Sequence, residues 1–382
     1  MFLSTEERAE TIWACRFCMM CHCADRTAQL VRRESYTPRG RGAILCAIDQ
    51  GLLEFDDTVA DIMYTTLNDG LLHECCVGNY DHEELVLDTR AKIFQRGLAP
   101  EEVVRFVEGL RGSHGRGPNP EELLSQRGVE TESKADILLF CGCTTRESQA
   151  ATIVTMGKLF NQAGIKFQVL SKEPCCGWPL YQLGDLDGAR EFSRNVAKEI
   201  KATGASTVAV LDADCYRMLL TRNARLGGDL KGIKIVHITS LLADWIQAGR
   251  IEITKRISDP VTYHDPCALA RYCEEVDSPR RILAAILEGE VKEMERNGKL
   301  ANCCGAGGML AVHRPDLSNE VALLRLEEAR ATGASILATG CPRCDTTFAR
   351  AMNPDREKGL RIMNLVNLVG VAAGVQFPSP SA

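Results

Sequence analysis

Two stretches decide the fold: KATGASTVAVLDADC (201–215) and RATGASILATGCPRC (330–344), which align without gaps at an offset of 129. Each reads as a helix end, a Gly-containing turn, a short apolar strand and a cysteine just past it. Two further matches keep nearly the same spacing: Cys175-Cys176-Gly177 with Cys303-Cys304-Gly305, and Cys143 with Cys267. Three matches in register mark an internal duplication, and scattered cysteines become two related sets.

Outward from these stretches the grammar is strand–helix alternation. Residues 135–140 (ADILLF), 166–170, 207–211 (TVAVL), 233–238 (IKIVHI) and 261–264 (VTYH) read as strands. Residues 146–163, 187–203 and 239–248 read as helices. Such alternation predicts α/β units with largely parallel sheets. The expected organisation is a helical region over 1–128, a first α/β unit over 129–258 and a second over 259–382. In the first region Pro100–Leu110 carries helix-start acids at Glu101 and Glu102. SHGRGPNPEE (113–122) reads as a linker or exposed loop.

Composition excludes several classes. The 382 residues are 45% hydrophobic and 25% charged, as in a chain with a substantial core. Net charge is −6 and aromatics are 5%, so neither a basic field nor stacking platforms favour nucleic acid. No apolar run reaches the ~18 residues of a membrane span. Leu365–Phe377, interrupted by Asn367, reads as a packed helix rather than a membrane-surface one. The outlier is cysteine, at 18 residues. The opening MFLSTEERAE lacks the pattern of a secretory leader, and CxxCxxC and CC clusters suit a shared metal centre better than a disulfide framework. A reducing, cytoplasmic setting is expected, with peripheral attachment to a membrane complex left open.

In the second unit Cys267, Cys303, Cys304, Cys341 and Cys344 each fall where a strand ends, which places them on one rim of the sheet. Five thiols exceed what one tetrahedral zinc needs, whereas an iron–sulfur cluster can use them all. Gly305 is expected to let the backbone approach such a centre. The GAGG run (305–308) lacks the order of a nucleotide loop. His264 reads either as a proton or hydrogen-bond donor beside the centre or as a strand cap. In the first unit Cys143, Cys175, Cys176 and Cys215 persist, but Asp212 stands where the repeat has Cys341. Four thiols suit zinc; a fifth from Cys141 would allow a second cluster; unliganded packed thiols are the remaining reading. Near the N-terminus, Cys15, Cys18 and Cys21 have the spacing that wraps one corner of a [4Fe-4S] cube, with zinc the alternative.

With HDPC (264–267), CCGAGG (303–308) and GCPRC (340–344) in place, the chain resembles the cysteine-rich CCG-domain family. That family includes heterodisulfide reductase catalytic subunits and the iron–sulfur subunits of glycolate oxidase and anaerobic glycerol-3-phosphate dehydrogenase. The resemblance implies a [4Fe-4S] centre, non-cubane in the heterodisulfide reductases, on Cys267, Cys303, Cys304, Cys341 and Cys344. YTPRGRGAI (36–44) resembles the segment that follows the first ferredoxin motif in glycolate-oxidase-type subunits. There, two motifs hold two cubanes. Here the fourth cysteine of the first motif would fall at Asp25, and only Cys75-Cys76 remains of the second. The resemblance therefore implies one [4Fe-4S] cubane on Cys15, Cys18, Cys21 and Cys76, with Cys75 or Cys23 as other candidates for the fourth place. No FAD or NAD fingerprint is present, so a flavin-containing partner subunit is implied, and quinone-linked proteins are further candidate partners. The expected function is electron transfer between that partner, the cubane and the CCG centre. Disulfide reduction at the non-cubane cluster is the alternative, and a zinc-stabilised scaffold the third.

Overall fold

The computed structural model describes residues 3–113, 115–352 and 359–375. Up to Gln126 the described chain is helical, and local chemistry sets the helix starts. Ser4 and Glu7 form a reciprocal capping box on Thr5–Ala14. Asp25, Thr37, Asp56 and Asp81 cap the helices that follow them. The expected helix at Glu101 runs on to Ser113. The 113–122 stretch is not simply a linker. Asn119 caps a helix over Pro120–Gln126 whose Leu124 is fully buried, so its PNPEE is a helix start: cap, Pro at the first turn, then acids. His114 lies outside the described residues.

Two three-stranded parallel sheets follow, so the fold is α/β. β1 (Ile137–Phe140), β2 (Thr207–Val210) and β3 (Lys234–His237) lie in that spatial order. β4 (Val261–His264), β5 (Ile336–Thr339) and β6 (Arg361–Asn364) repeat the arrangement. The strand expected at 166–170 is reduced to one bridge, Gln168 beside Leu138 on the free edge of β1. The helix expected over 146–163 is two helices, Cys143–Ser148 and Ala150–Gln162, because Gln149 leaves the helical region.

Strand alternation assigns the faces. Leu139, Ala209 and Leu211 share one core with Ile153, Phe160 and Leu242, whereas Leu138, Phe140, Val208 and Val210 pack with Phe192, Val196 and Ile200 on the other side. The first of these cores is common to both units. In it, Ala150–Gln162 packs on Leu365–Ala372, and Ile238–Gln247 packs on Asp277–Ile286. These are the same contact with the copies exchanged. The described part of the Leu365–Phe377 run is thus a packed helix, while Gln376 and Phe377 lie outside the described residues. Across the rim, Cys143–Ser148 meets Pro342–Ala351, and Ala213–Arg217 meets Cys267–Ala270. The two units are therefore related by an approximate two-fold axis, which brings their cysteine-bearing rims together. No helix among the described residues is long and apolar enough to cross a membrane.

Candidate metal centres

At the N-terminus one cavity is lined by Cys15, Cys18, Cys21 and Cys76, together with Met20, Leu72, Val77 and Tyr80. These are the four cysteines expected to act together. Cys15 and Cys21 are buried, Cys76 half-buried and Cys18 exposed. Burial pushes the Cys15 and Cys21 thiols up, while the Phe17 and Arg39 backbone N–H groups, aimed at Cys15 and Cys21, act the other way. Backbone amides directed at sulfur are the environment a thiolate cluster uses. Cys75 and Cys23 do not line this cavity; the exposed Cys23 thiol donates to the Met20 carbonyl at 3.1 Å.

Asp25, where a fourth cysteine would stand, accepts from the Ala28 N–H at 3.0 Å and caps Arg26–Val31. Its other oxygen takes the fully buried Arg41 at 2.7 Å. Arg41 also donates to the Ile62 and Thr65 carbonyls. The PRGRG segment thus anchors the loop after Tyr64.

In the second unit Cys267 opens a short helix after β4, Cys303 and Cys304 sit in a loop, and Cys341 and Cys344 start the helix after β5. Their thiols adjoin one another in the order Cys267–Cys303–Cys304–Cys344–Cys341. Contacts from Cys303 and Cys344 hold Cys304 below the usual thiol range, whereas burial pushes Cys344 up. The Gly305 N–H points at the Cys303 sulfur at 3.4 Å. Gly305 has φ +98°, and a Cβ there would lie 2.3 Å from the Ser318 carbonyl oxygen, so only glycine fits. A ring nitrogen of His264 lies within 4.8 Å of the Cys304 and Cys344 sulfurs. Arg325 donates to His264 Nδ1 at 3.2 Å, which leaves the ring hydrogen on Nε2; that atom is buried without a partner among the described residues. Burial and the Arg325 charge push His264 well below its ordinary pKa, so the ring is neutral. Five convergent thiols and an orphaned N–H fit a sulfur-rich metal centre.

In the first unit Cys143, Cys175, Cys176 and Cys215 line one cavity and their thiols are likewise linked in sequence. The Gly177 N–H meets the Cys175 sulfur at 3.5 Å, repeating Gly305. Asp212 also lines this cavity, with its Oδ1 accepting from the Asp214 and Cys215 N–H groups to cap Ala213–Arg217. Cys141 does not join the set. It is fully buried in the other core, beside Leu139 and Leu211. Four sulfurs fit one tetrahedral metal ion. Trp178, Asp214 and Arg343 line this cavity and the second-unit cavity alike, so the two sites share a wall.

Sequence reasoning missed a further part of the second-unit site. Asn68, from the N-terminal region, lines the cavity of Cys267, Cys304, Cys341 and Cys344. The GAGG run accommodates that region: a Cβ on Gly308, at φ +60°, would sit 2.5 Å from the Thr66 carbonyl oxygen. Fully buried Arg90 ties the two sides together, donating to the carbonyls of Met63 and Gly308 at 2.9 and 2.7 Å.

Comparison with known proteins agrees with this layout. The cysteine-rich CCG domain matches twice, over residues 137–220 and 261–349. A dihydromethanophenazine:CoB–CoM heterodisulfide reductase subunit of Methanosarcina mazei is 34% identical over 316 residues, 80% of this chain and 77% of that protein. The Methanosarcina barkeri counterpart is 35% identical over 251 residues, 65% of this chain and 61% of that protein. The probable iron-sulfur-binding oxidoreductase FadF of Bacillus subtilis is 31% identical over 194 residues, half of this chain and 27% of that protein. Among solved structures, a hypothetical protein from Helicobacter pylori has a TM-score of 0.58 at 11% identity, covering 88% of this chain and 68% of that one, a likeness of fold alone. With its paired cysteine rims and these relatives, the chain belongs to the CCG cysteine-rich-domain family of iron–sulfur oxidoreductase subunits, to which the Methanosarcina heterodisulfide reductase proteins also belong.

Proposed function

We propose that this chain transfers electrons within a multi-subunit oxidoreductase, between a flavin-containing partner, an N-terminal [4Fe-4S] cubane and a [4Fe-4S] centre of the second unit. The convergence of Cys15, Cys18, Cys21 and Cys76 on one cavity, and of Cys267, Cys304, Cys341 and Cys344 on another with Cys303 beside Cys267 and Cys304, carries the reading. The clusters, when bound, supply one-electron chemistry. The chain's own groups do the rest. Backbone N–H groups at Phe17, Arg39 and Gly305 stabilise thiolate charge, and neutral His264 offers a hydrogen-bond donor. Buried Arg217 and half-buried Arg343 line the second cavity, each held by an acid, Glu83 and Asp214. For the first unit we assign a single zinc on Cys143, Cys175, Cys176 and Cys215.

Anaerobic purification with iron, sulfide and zinc analysis and EPR tests this. Two distinct iron–sulfur signals and one zinc per chain are expected. Zinc without acid-labile sulfide would leave only a scaffold, and a third cluster signal would overturn the zinc assignment. A second reading, disulfide reduction at the second-unit centre, is favoured by the named activity of the Methanosarcina relatives. It requires that added thiol change the EPR signal of that centre and leave the N-terminal signal unaltered.

A further inference from the structure

Residues 65–70, between the Asp57–Tyr64 and Leu71–Cys75 helices, form a loop that is held from both sides. Arg271, four residues after Cys267, donates to the Asp69 carbonyl at 2.7 Å and to its carboxylate at 3.0 Å. The Tyr272 hydroxyl donates to the Asn68 carbonyl at 3.3 Å. On the other side the loop backbone rests against Gly307 and Gly308. These contacts leave Asn68 in the left-handed region at φ +47°, a conformation most residues avoid. The residue is 6% exposed, and neither Nδ2 nor Oδ1 has a hydrogen-bond partner among the described residues. A buried carboxamide with both ends unmet is rare in a folded chain. It lines the cavity of Cys267, Cys304, Cys341 and Cys344. Arg217, Arg343 and Asp214 line it too, but each is engaged in an ion pair, which leaves the sulfur atoms as the unclaimed acceptors for Nδ2.

We infer that the Asn68 carboxamide is a hydrogen-bond donor to sulfur at the second-unit centre, supplied by the N-terminal region to set that centre's reduction potential. The inference rests on the iron–sulfur reading proposed above. A donor to sulfur stabilises the more negative, reduced state, so removing it lowers the potential. The left-handed backbone favours Asn, Asp or Gly at this position, which defines the useful variants. The rigid loop also makes the potential of one centre depend on how the region bearing the other is docked.

The test is a redox titration followed by EPR on the full chain, with iron and sulfide assayed in parallel. Asn68→Gly keeps the backbone and removes the donor; Asn68→Asp keeps the shape and adds negative charge. Both are expected to retain iron and sulfide. At a fixed potential the reduced-to-oxidised ratio of the second-unit centre should fall about tenfold in Asn68→Gly, about 59 mV for one electron, and further in Asn68→Asp. The N-terminal centre, whose cavity Asn68 does not line, should titrate as in the wild type. Loaded variants with unchanged potentials would overturn the inference. So would loss of the centre in both variants with a loaded wild type, which would make Asn68 purely structural. If Asn68→Gly alone fails to load, Asn68→Asp is read by the same criterion. A wild type without sulfide would instead sink the iron–sulfur reading itself.

Discussion

Asp214 and Arg343 occupy the same position in the two halves of the repeat, offset by 129, and form an ion pair with one another across the approximate two-fold axis. The pair sits in the wall between the two cysteine cavities. Both side chains are largely withdrawn from solvent, at 11% and 20% exposure. Removing either one deprives the other of its hydrogen-bonded counter-charge. Asp214→Ala and Arg343→Ala should each destabilise the protein by about 2–3 kcal/mol, somewhat less than a fully buried pair. The exchanged double variant D214R/R343D should recover most of that loss. Denaturant titration of the four proteins checks this, and failure of the exchange would show that the pair's surroundings, not its charges, carry the energy.

The two aspartates that replace expected cysteines, Asp25 and Asp212, do the same job. Each caps the helix that follows, and Asp25 also neutralises fully buried Arg41. Asp25→Ala is expected to cost about 1 kcal/mol for the cap and about 3 more for the stranded guanidinium. Asp25→Cys should lower stability similarly and add no iron. Thermal unfolding and iron content read both outcomes; a gain of iron in Asp25→Cys would contradict the geometry.

The N-terminal cavity separates three candidate fourth ligands. Cys76 lines it, whereas Cys75 and Cys23 do not. Cys76→Ser is expected to abolish or strongly alter the cubane EPR signal. Cys75→Ser and Cys23→Ser should keep it, with iron content within error of the wild type.

His237 gives a pH dependence whose sign is fixed. Burial pushes it down to about 3, against 6.5 for the free side chain. The folded protein therefore binds fewer protons than the unfolded chain between those values. His237 supports stability above pH 6.5, and that support drains away as pH falls towards 3, by up to about 1.4 kcal/mol per pH unit. The repeat supplies the control. His237 caps the helix after β3 through the Thr239 N–H, and Asn364 caps the helix after β6 through the Val366 N–H. His237→Asn should keep the cap and flatten the acid slope by one proton. Denaturation midpoints at about pH 6 and about pH 5 measure it.

Much of the fold is legible because the repeat is written twice. Short apolar strands followed by cysteines predict β1, β2, β4 and β5 and the rim on which the thiols meet. The stretch 166–170 mimics a strand, since apolar residues there fill the core beside Phe160 while only Gln168 bridges β1. PNPEE conceals its helix start behind a Gly- and Pro-rich approach. The roles of Asp25 and Asp212 are invisible in the sequence, since a lost cysteine does not announce a gained cap. Asn68 is invisible for a different reason: it lies nearly 200 residues from the nearest cysteine of the cavity it lines. Only the docking of the N-terminal loop against Gly308 and Tyr272 joins them.

A position that lies beside a dyad in a symmetric homodimer must meet its own identical copy. Such a site tolerates small or neutral side chains, and a charged one faces its like. Aspartate opposite arginine needs copies that can mutate separately, as the two units of one polypeptide can. The same freedom let one half exchange a thiol for a carboxylate while the other kept all five. Covalent linkage of the two units thus permits the polarity of the molecule, one sulfur-rich rim and one leaner rim on a shared wall.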